Sequence, residues 1–358
     1  MELKGIKDWG ININDKLIVS GPCSAESEEQ VVNTCKALAA NNKVNMLRAG
    51  IWKPRTRPNS FEGIGSVGLE WLVQAKKETG LPISTEVANP EHIEECLKAG
   101  VDVIWLGART TVNPFAVQAI ADRLRGVDIP VMVKNPINPD VQLWRGAIER
   151  LYNSGINKIA AIHRGFSSFQ ETAYRNEPKW ELAIELKTLI KDIEIICDPS
   201  HICGNRELIP MVSQKALDLA MDGLMIESHE NPDVALSDAA QQLKPNDLIS
   251  LIDNLHFRHE EFDNSLMADK LVDLRSDIDH MDTEILETLS KRMKVAEQIG
   301  QFKKDNEVTV LQVNRWEEIL ENRLKMSGAL GLSDDFIKEL LNLIHKESIS
   351  KQRRILED

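Results

Sequence analysis

From Lys16 to about residue 255 the chain repeats one pattern: a short β-branched or apolar run, a polar loop, then a stretch with apolar residues at helical spacing. The runs KLIVS (16–20), VNML (44–47), PISTEV (82–87), VDVIWLG (101–107), PVMVKN (130–135), KIAAIH (158–163), EIICD (194–198) and LMIES (224–228) predict eight strands. Most are continuously apolar, as expected for parallel strands covered on both faces. The segments between them, such as EEQVVNTCKALAANN and VGLEWLVQAKKETG, have helical periodicity and end near Gly or Asn. Eight strands alternating with helices over about 250 residues predict an α/β domain of the (β/α)8 TIM barrel type. A doubly wound open sheet is the alternative, because a strand count does not prove closure.

The pattern changes after Leu255. HFRHEEFDNS is polar and charged, which suits a linker. From Met267 onward there is no strand-like run and no proline. Apolar residues at 271, 274, 278, 281, 285, 289, 293, 296 and 299 form a stripe along one long helix. RWEEILENRLKM and SDDFIKELLNLIHKESISKQ predict two more helices, the second with Ser333 as N-cap. The expected organisation is a barrel domain over 1–256, a linker over 257–266 and an all-α three-helix domain over 267–358. Three such helices bury the stripe poorly in one chain. A homodimer through the helical domain, or a tetramer, is therefore expected.

Composition narrows the function classes. Hydrophobic residues at 42% and charged residues at 28% match an ordinary folded, water-soluble protein. No apolar run approaches a membrane span, and MELKGIKDWG lacks a secretory apolar core. Five cysteines without a CxxC pair argue against a disulfide framework and for a reduced, cytoplasmic protein. A net charge of −13 disfavours nonspecific nucleic-acid binding. It leaves anionic small substrates open, because a cationic cleft acts locally.

In a barrel the chemistry gathers at the C-terminal strand ends. Read in order, those ends offer Cys23, Arg48 with Lys53, Arg55 and Thr56, Glu86, Arg109, Lys134, His163 with Arg164, His201 and Glu227, with Asp238 soon after. Each has a plain structural explanation when taken singly: a buried thiol, a satisfied loop histidine, solvated charges. Together, Cys, His, Glu and Asp can hold one divalent transition ion of the Mn, Zn, Fe or Co class. The cations beside them suit a substrate bearing phosphate and carboxylate, with Arg as a planar fork and Lys as a point charge.

Residues 1 to about 255 resemble the 3-deoxy-D-arabino-heptulosonate 7-phosphate (DAHP) synthases, through GPCS at 21, LRAG at 47, KPRT at 53, GAR at 107, Lys134-Asn135, RG at 164, DPSH at 198 and IESH at 226. The short N-terminus is similar to members without a regulatory extension. The resemblance implies Cys23, His201, Glu227 and Asp238 as metal ligands. It implies Arg48, Lys53, Arg109, Lys134 and Arg164 as a phosphoenolpyruvate clamp, and Arg55 and Thr56 as the erythrose 4-phosphate contacts. His201 and Lys53 are catalytic candidates; Lys53 is either a proton donor, if neighbouring cations depress its pKa, or a fixed charge. The rival is the 3-deoxy-octulosonate 8-phosphate synthases, which typically have a Lys-Ala-Asn-Arg-Ser-type loop where this chain has Lys53-Pro54-Arg55-Thr56. Arg55 favours the heptulosonate.

In the helical region Arg292 and Lys303 are almost in phase on one helix and about 16 Å apart along it, a gap that two long side chains can close. Ser348 and Gln352 share a face at i and i+4. Arg275 lies about 25 Å before Arg292, so it can join such a site only from a second protomer. A solvated charged helix is the plain alternative. Residues 267–356 resemble the all-α chorismate mutases, through LRSDIDHMD, LSKRM, IGQFKK, Arg315 and IHKESISKQ in family order. The resemblance implies that Arg292 and a partner's Arg275 bind the carboxylates of chorismate. Lys303 and Gln352 would bond its ether oxygen, with Arg315 and Ser348 completing the pocket and no cofactor needed. Two positions depart from the family pattern, Gln312 and Trp316 standing where Asp and Glu are usual; Glu is expected to hold the chorismate hydroxyl. The whole then reads as a bifunctional enzyme with prephenate as feedback effector. In the alternative reading the helical domain chiefly regulates and dimerises.

Overall fold

A computed structural model describes the chain except residues 14, 54–60, 170, 259–264, 310–312 and 358, and except the side chains of 265–269, 313–315, 356 and 357. Two compact units emerge, 1–260 and 261–358.

The first unit is a closed barrel of eight parallel strands: β1 (Leu17–Gly21), β2 (Met46–Arg48), β3 (Ile83–Val87), β4 (Val103–Leu106), β5 (Val131–Lys134), β6 (Ile159–His163), β7 (Glu194–Cys197) and β8 (Gly223–Glu227). Closure is made by β1 against β8, in register from Leu17↔Gly223 to Gly21↔Glu227. That pairing excludes the open sheet. Gly21 is required at its position: its φ is +149°, and a Cβ there would lie 1.9 Å from the Arg48 carbonyl oxygen. The absent side chain lets β1 end tightly beside β2, which brings Cys23 next to Arg48.

Two apolar layers hold the barrel. The outer layer lies between strands and helices, with Leu47, Ile104, Val133 and Trp144 fully buried. The inner layer comprises Val19, Met46, Trp105, Met132, Ile162 and Met225, and Ile6, Trp9 and Ile11 from the N-terminal segment join it. These last three close the barrel at the N-terminal strand ends, where the Ile6 amide donates to the carboxylate of Glu194 at the start of β7. Trp9→Ala should therefore destabilise the barrel by about 3 kcal/mol, read as a lower denaturant midpoint. An unshifted midpoint would show that the plug carries no load.

The second unit has a 41-residue helix, Ser265–Asp305, followed by Val313–Leu330 and Asp334–Glu357. The Phe336 amide donates to Ser333 Oγ, the cap the sequence indicates. The first and last helices approach closely at Gly300, where a Cβ would sit 3.0 Å from Gln352 Cα. Toward its N-terminal half the long helix leaves Leu274, Ile278, Met281 and Ile285 between 51% and 59% exposed. No helix among the described residues is long and apolar enough to cross a membrane.

Candidate active sites

The barrel mouth is assembled one strand end at a time. After β7, Asp198 caps the short helix Pro199–Cys203, accepting from the His201 amide at 3.1 Å, with proline at the first helical position. The same carboxylate accepts from the His201 ring at Nδ1 and from Lys134 Nζ, at 2.9 and 2.8 Å. Burial alone would raise the Asp198 pKa, but His201 and Lys134 pull it well below the usual carboxylate range. Burial in turn lowers the His201 pKa. A neutral imidazole that donates from Nδ1 keeps a lone pair on Nε2, the arrangement a metal ligand needs. That Nε2 is 3.7 Å from Glu227 Oε1.

Cys23 Sγ, a Glu227 oxygen and an Asp238 oxygen all lie within 4.8 Å of one another. Cys23 Sγ is 3.2 Å from Asp238 Oδ2 and accepts from Lys53 Nζ at 3.0 Å. The Cys23 thiol is pushed up to about 12 by burial, with Glu227 adding to the shift. Glu227 Oε1 accepts no hydrogen bond among the described residues, although Arg48 stands 3.3 Å away. A soft sulfur, a histidine lone pair and two carboxylates, one with a buried oxygen that accepts no hydrogen bond among the described residues, fit a divalent transition ion. Thus three of the four sequence-predicted ligands form one cluster, and His201 stands beside its Glu227.

The cations occupy the same mouth. Arg48 and Lys134 are 1% and 3% exposed and rest over the Trp105 ring, 4.9 and 5.8 Å from its centroid. Trp105 is itself fixed by donating from Nε1 to Glu86 at 3.0 Å. Arg164 is buried, which lowers its pKa to about 10, and it donates to Asn176 Oδ1 at 2.6 Å. Arg109 is exposed, immediately after β4. Burial would lower the Lys53 pKa, but Cys23 and Glu227 outweigh it and the net shift is upward. The downward shift considered for a proton donor is therefore not what this environment produces. Arg55 and Thr56 lie outside the described residues.

In the second unit a cavity of about 450 Å³ is lined by Arg292, Lys303, Trp316, His345, Ser348 and Gln352, together with aliphatic side chains. Arg292 donates to Ser348 Oγ at 2.5 Å, and that hydroxyl donates on to the Ile344 carbonyl at 2.8 Å. Gln352 Oε1 is buried and accepts no hydrogen bond among the described residues. Burial lowers the Lys303 pKa. Trp316 and His345 stack with centroids 4.1 Å apart. Burial and nearby Arg292 both lower the His345 pKa. Arg292, Lys303, Ser348 and Gln352 thus meet as the sequence indicates. Arg275 is exposed and is not among the residues lining this cavity. The side chain of Arg315, and Gln312, lie outside the described residues.

Residues 8–261 match the model of the DAHP synthetase I family. The chain belongs to that family. Residues 274–353 match the model for chorismate mutase type II, so a DAHP synthase domain and a chorismate mutase domain are both present. A phospho-2-dehydro-3-deoxyheptonate aldolase of Thermotoga maritima is 33% identical over 229 residues, covering 63% of this chain and 64% of that protein. The crystal structure of a Thermotoga maritima DAHP synthase superposes with a TM-score of 0.61 at 30% identity, covering 70% of this chain and 71% of the other. A 2-dehydro-3-deoxyphosphooctonate aldolase of Francisella tularensis is 26% identical over 260 residues, covering 66% of this chain and 90% of the relative.

Several residues of the synthase mouth escaped the sequence reading. Asp198 sits inside the DPSH motif, so a signal was present. Trp105 lies in an apolar run and reads only as core. Arg175 and Asn176 come from a loop, and Gln241 ends a single 3-10 turn, Ala239–Gln241, neither with a distinguishing pattern.

Proposed function

We propose that the barrel condenses phosphoenolpyruvate with erythrose 4-phosphate to give DAHP and inorganic phosphate, and that the helical unit rearranges chorismate to prephenate. The observation that carries the first half is one mouth holding both the Cys23–Glu227–Asp238 cluster and the Arg48–Lys134 shelf. Cys23, His201, Glu227 and Asp238 would hold a divalent ion, which when bound supplies Lewis acidity toward the aldehyde oxygen of the sugar phosphate. Arg48 and Lys134, with Lys53, Arg109 and Arg164, receive the phosphate and carboxylate of phosphoenolpyruvate. Arg55 and Thr56 receive the phosphate of erythrose 4-phosphate. The methylene carbon of phosphoenolpyruvate bonds to the aldehyde carbon, whose oxygen gains a proton. Water adds to the former enol carbon, and phosphate leaves with cleavage of its C–O bond. Fixed cations help because charge at that carbon and at the leaving phosphate changes during these steps.

In the mutase cavity Arg292 and a partner's Arg275 engage the two carboxylates, while Lys303 and Gln352 bond the ether oxygen as its C–O bond breaks. Ser348 orients Arg292, and Arg315 completes the set. This is electrostatic stabilisation of a held conformer, with no covalent step. The exposed row from Leu274 to Ile285 supports a homodimer through the long helix, which would also supply Arg275. A second reading, in which this unit mainly regulates the barrel through bound prephenate, is favoured by Trp316, an aromatic residue where family members commonly have Glu. Two sites linked by one ligand-dependent equilibrium allow both readings at once.

One coupled assay tests the synthase half. Phosphoenolpyruvate consumption should be rapid with erythrose 4-phosphate, slow with arabinose 5-phosphate, and abolished by a chelator until a divalent metal is restored. Preference for arabinose 5-phosphate would make the barrel an octulosonate synthase, and indifference to chelator would remove the metal.

A further inference from the structure

We infer that the dipeptide Arg175-Asn176, acting with Gln241, is the clasp that positions the metal ligands and ties them to Arg164. This rests on the metal site proposed above. Arg175 donates from NH1 to Asp238 Oδ1 at 2.9 Å and to Gln241 Oε1 at 2.7 Å. Gln241 passes the interaction on, donating from Nε2 to Glu227 Oε2 at 2.7 Å. The relay engages one oxygen of each carboxylate. It leaves Asp238 Oδ2 facing Cys23 Sγ and leaves Glu227 Oε1 without a hydrogen bond among the described residues, 3.3 Å from Arg48.

Asn176 does the corresponding work on the other side. Its Nδ2 donates to the His201 carbonyl at 2.7 Å, and its Oδ1 accepts from Arg164 at 2.6 Å. The main chain is laid against the turn after β7, with the Arg175 and Asn176 amides donating to the carbonyls of Cys203 and Ile202 at 3.3 and 3.1 Å. Gly204 makes that close approach possible: its φ is +70°, and a Cβ there would lie 2.5 Å from Arg175 Cβ. The clasp also holds a strained position, since Asp238 has φ +49°. Two adjacent residues thereby touch three of the four ligands, or the residues that hold them, and one phosphate-binding arginine. Arg175, Asn176 and Gln241 are positioning residues, because none is placed to touch the reacting atoms.

Two effects of Arg175 oppose each other. Its hydrogen bonds fix the carboxylates, which favours a cation, while its charge repels one. Gln241→Met separates them, because it breaks the relay without changing charge. The metal-depleted full chain is titrated with Co(II), read as the thiolate-to-cobalt absorption band and by calorimetry, alongside thermal melting of each metal-free protein. Gln241→Met should weaken Co(II) binding about 10- to 100-fold, the range for loss of a group that orients a ligand. Arg175→Ala should weaken it similarly, Arg175→Lys should recover part of the loss, and Arg175→Ala with Gln241→Met should lose little more than either alone. If Arg175→Ala fails to fold, Gln241→Met carries the test. Wild-type affinity in Gln241→Met, or tighter binding in Arg175→Ala, overturns the clasp while leaving the metal site standing. A wild-type protein that gives no cobalt band overturns the metal site, and the clasp with it.

Discussion

Replacing Lys53 by alanine should lower the barrel's turnover by about 10³-fold, equivalent to about 4 kcal/mol of transition-state stabilisation. Lys53 Nζ donates to Cys23 Sγ at 3.0 Å, and Cys23 and Glu227 hold its pKa above the usual lysine value. It is therefore a cation held against the Cys23–Glu227–Asp238 cluster, and on the proposed reading it faces the substrate phosphate. Gly50 makes room for it, since a Cβ at that residue would lie 2.7 Å from Lys53 Cε. Lys53→Arg should not rescue activity, because a guanidinium is broader than the ammonium that packs beside Gly50 and Cys23. Initial rates with both substrates saturating decide the matter. A Lys53→Ala enzyme within about tenfold of wild type, a loss of only ~1.4 kcal/mol, would place Lys53 outside the chemistry.

Replacing Arg292 by alanine should abolish the chorismate rearrangement, by about 10³-fold or more. Arg292 contributes a charge to the cavity and also organises it, because its bond to Ser348 Oγ fixes a hydroxyl already committed to the Ile344 carbonyl. Chorismate disappearance measures the first consequence. The second concerns the barrel: the inhibition by prephenate proposed above should be missing in the same variant, since that effector would use the same cation. Retained mutase activity would remove Arg292 from catalysis. Lost mutase activity with prephenate inhibition intact would place the regulatory ligand elsewhere.

The fold was legible because a parallel barrel writes itself as separate apolar runs. All eight predicted runs overlap strands, but their ends are offset: VDVIWLG overreaches the shorter β4, Val103–Leu106, whereas VNML stops one residue before β2 ends at Arg48. Burial extends beyond pairing there, since Val101 is buried outside the ladder. The chemically distinctive residues were equally legible, since Cys23, Arg48, Lys134, His201 and Glu227 all stand at strand ends. What stayed hidden was the support. Arg175 meets Asp238 across 63 positions of sequence, and such long-range pairing leaves no periodic trace. Trp105 was hidden for a different reason: its indole lies among apolar neighbours and gives no sign that two cations rest on its face. In the helical unit, spacing on a single helix put Arg292 and Lys303 together but could not reveal that His345 stacks on Trp316 from another helix.

The N-terminal plug has a consequence for traffic. With Ile6 and Trp9 only 2% and 8% exposed, the vessel has a sealed floor, and the shelf of Arg48 and Lys134 is deep inside it. A one-ended vessel is emptied through the opening by which it is filled. On the proposed reading, phosphoenolpyruvate on that shelf enters first, and the sugar phosphate that follows stands between it and the exit. On that reading, occupancy of the outer position would act as a latch, holding the inner molecule in place with no moving part.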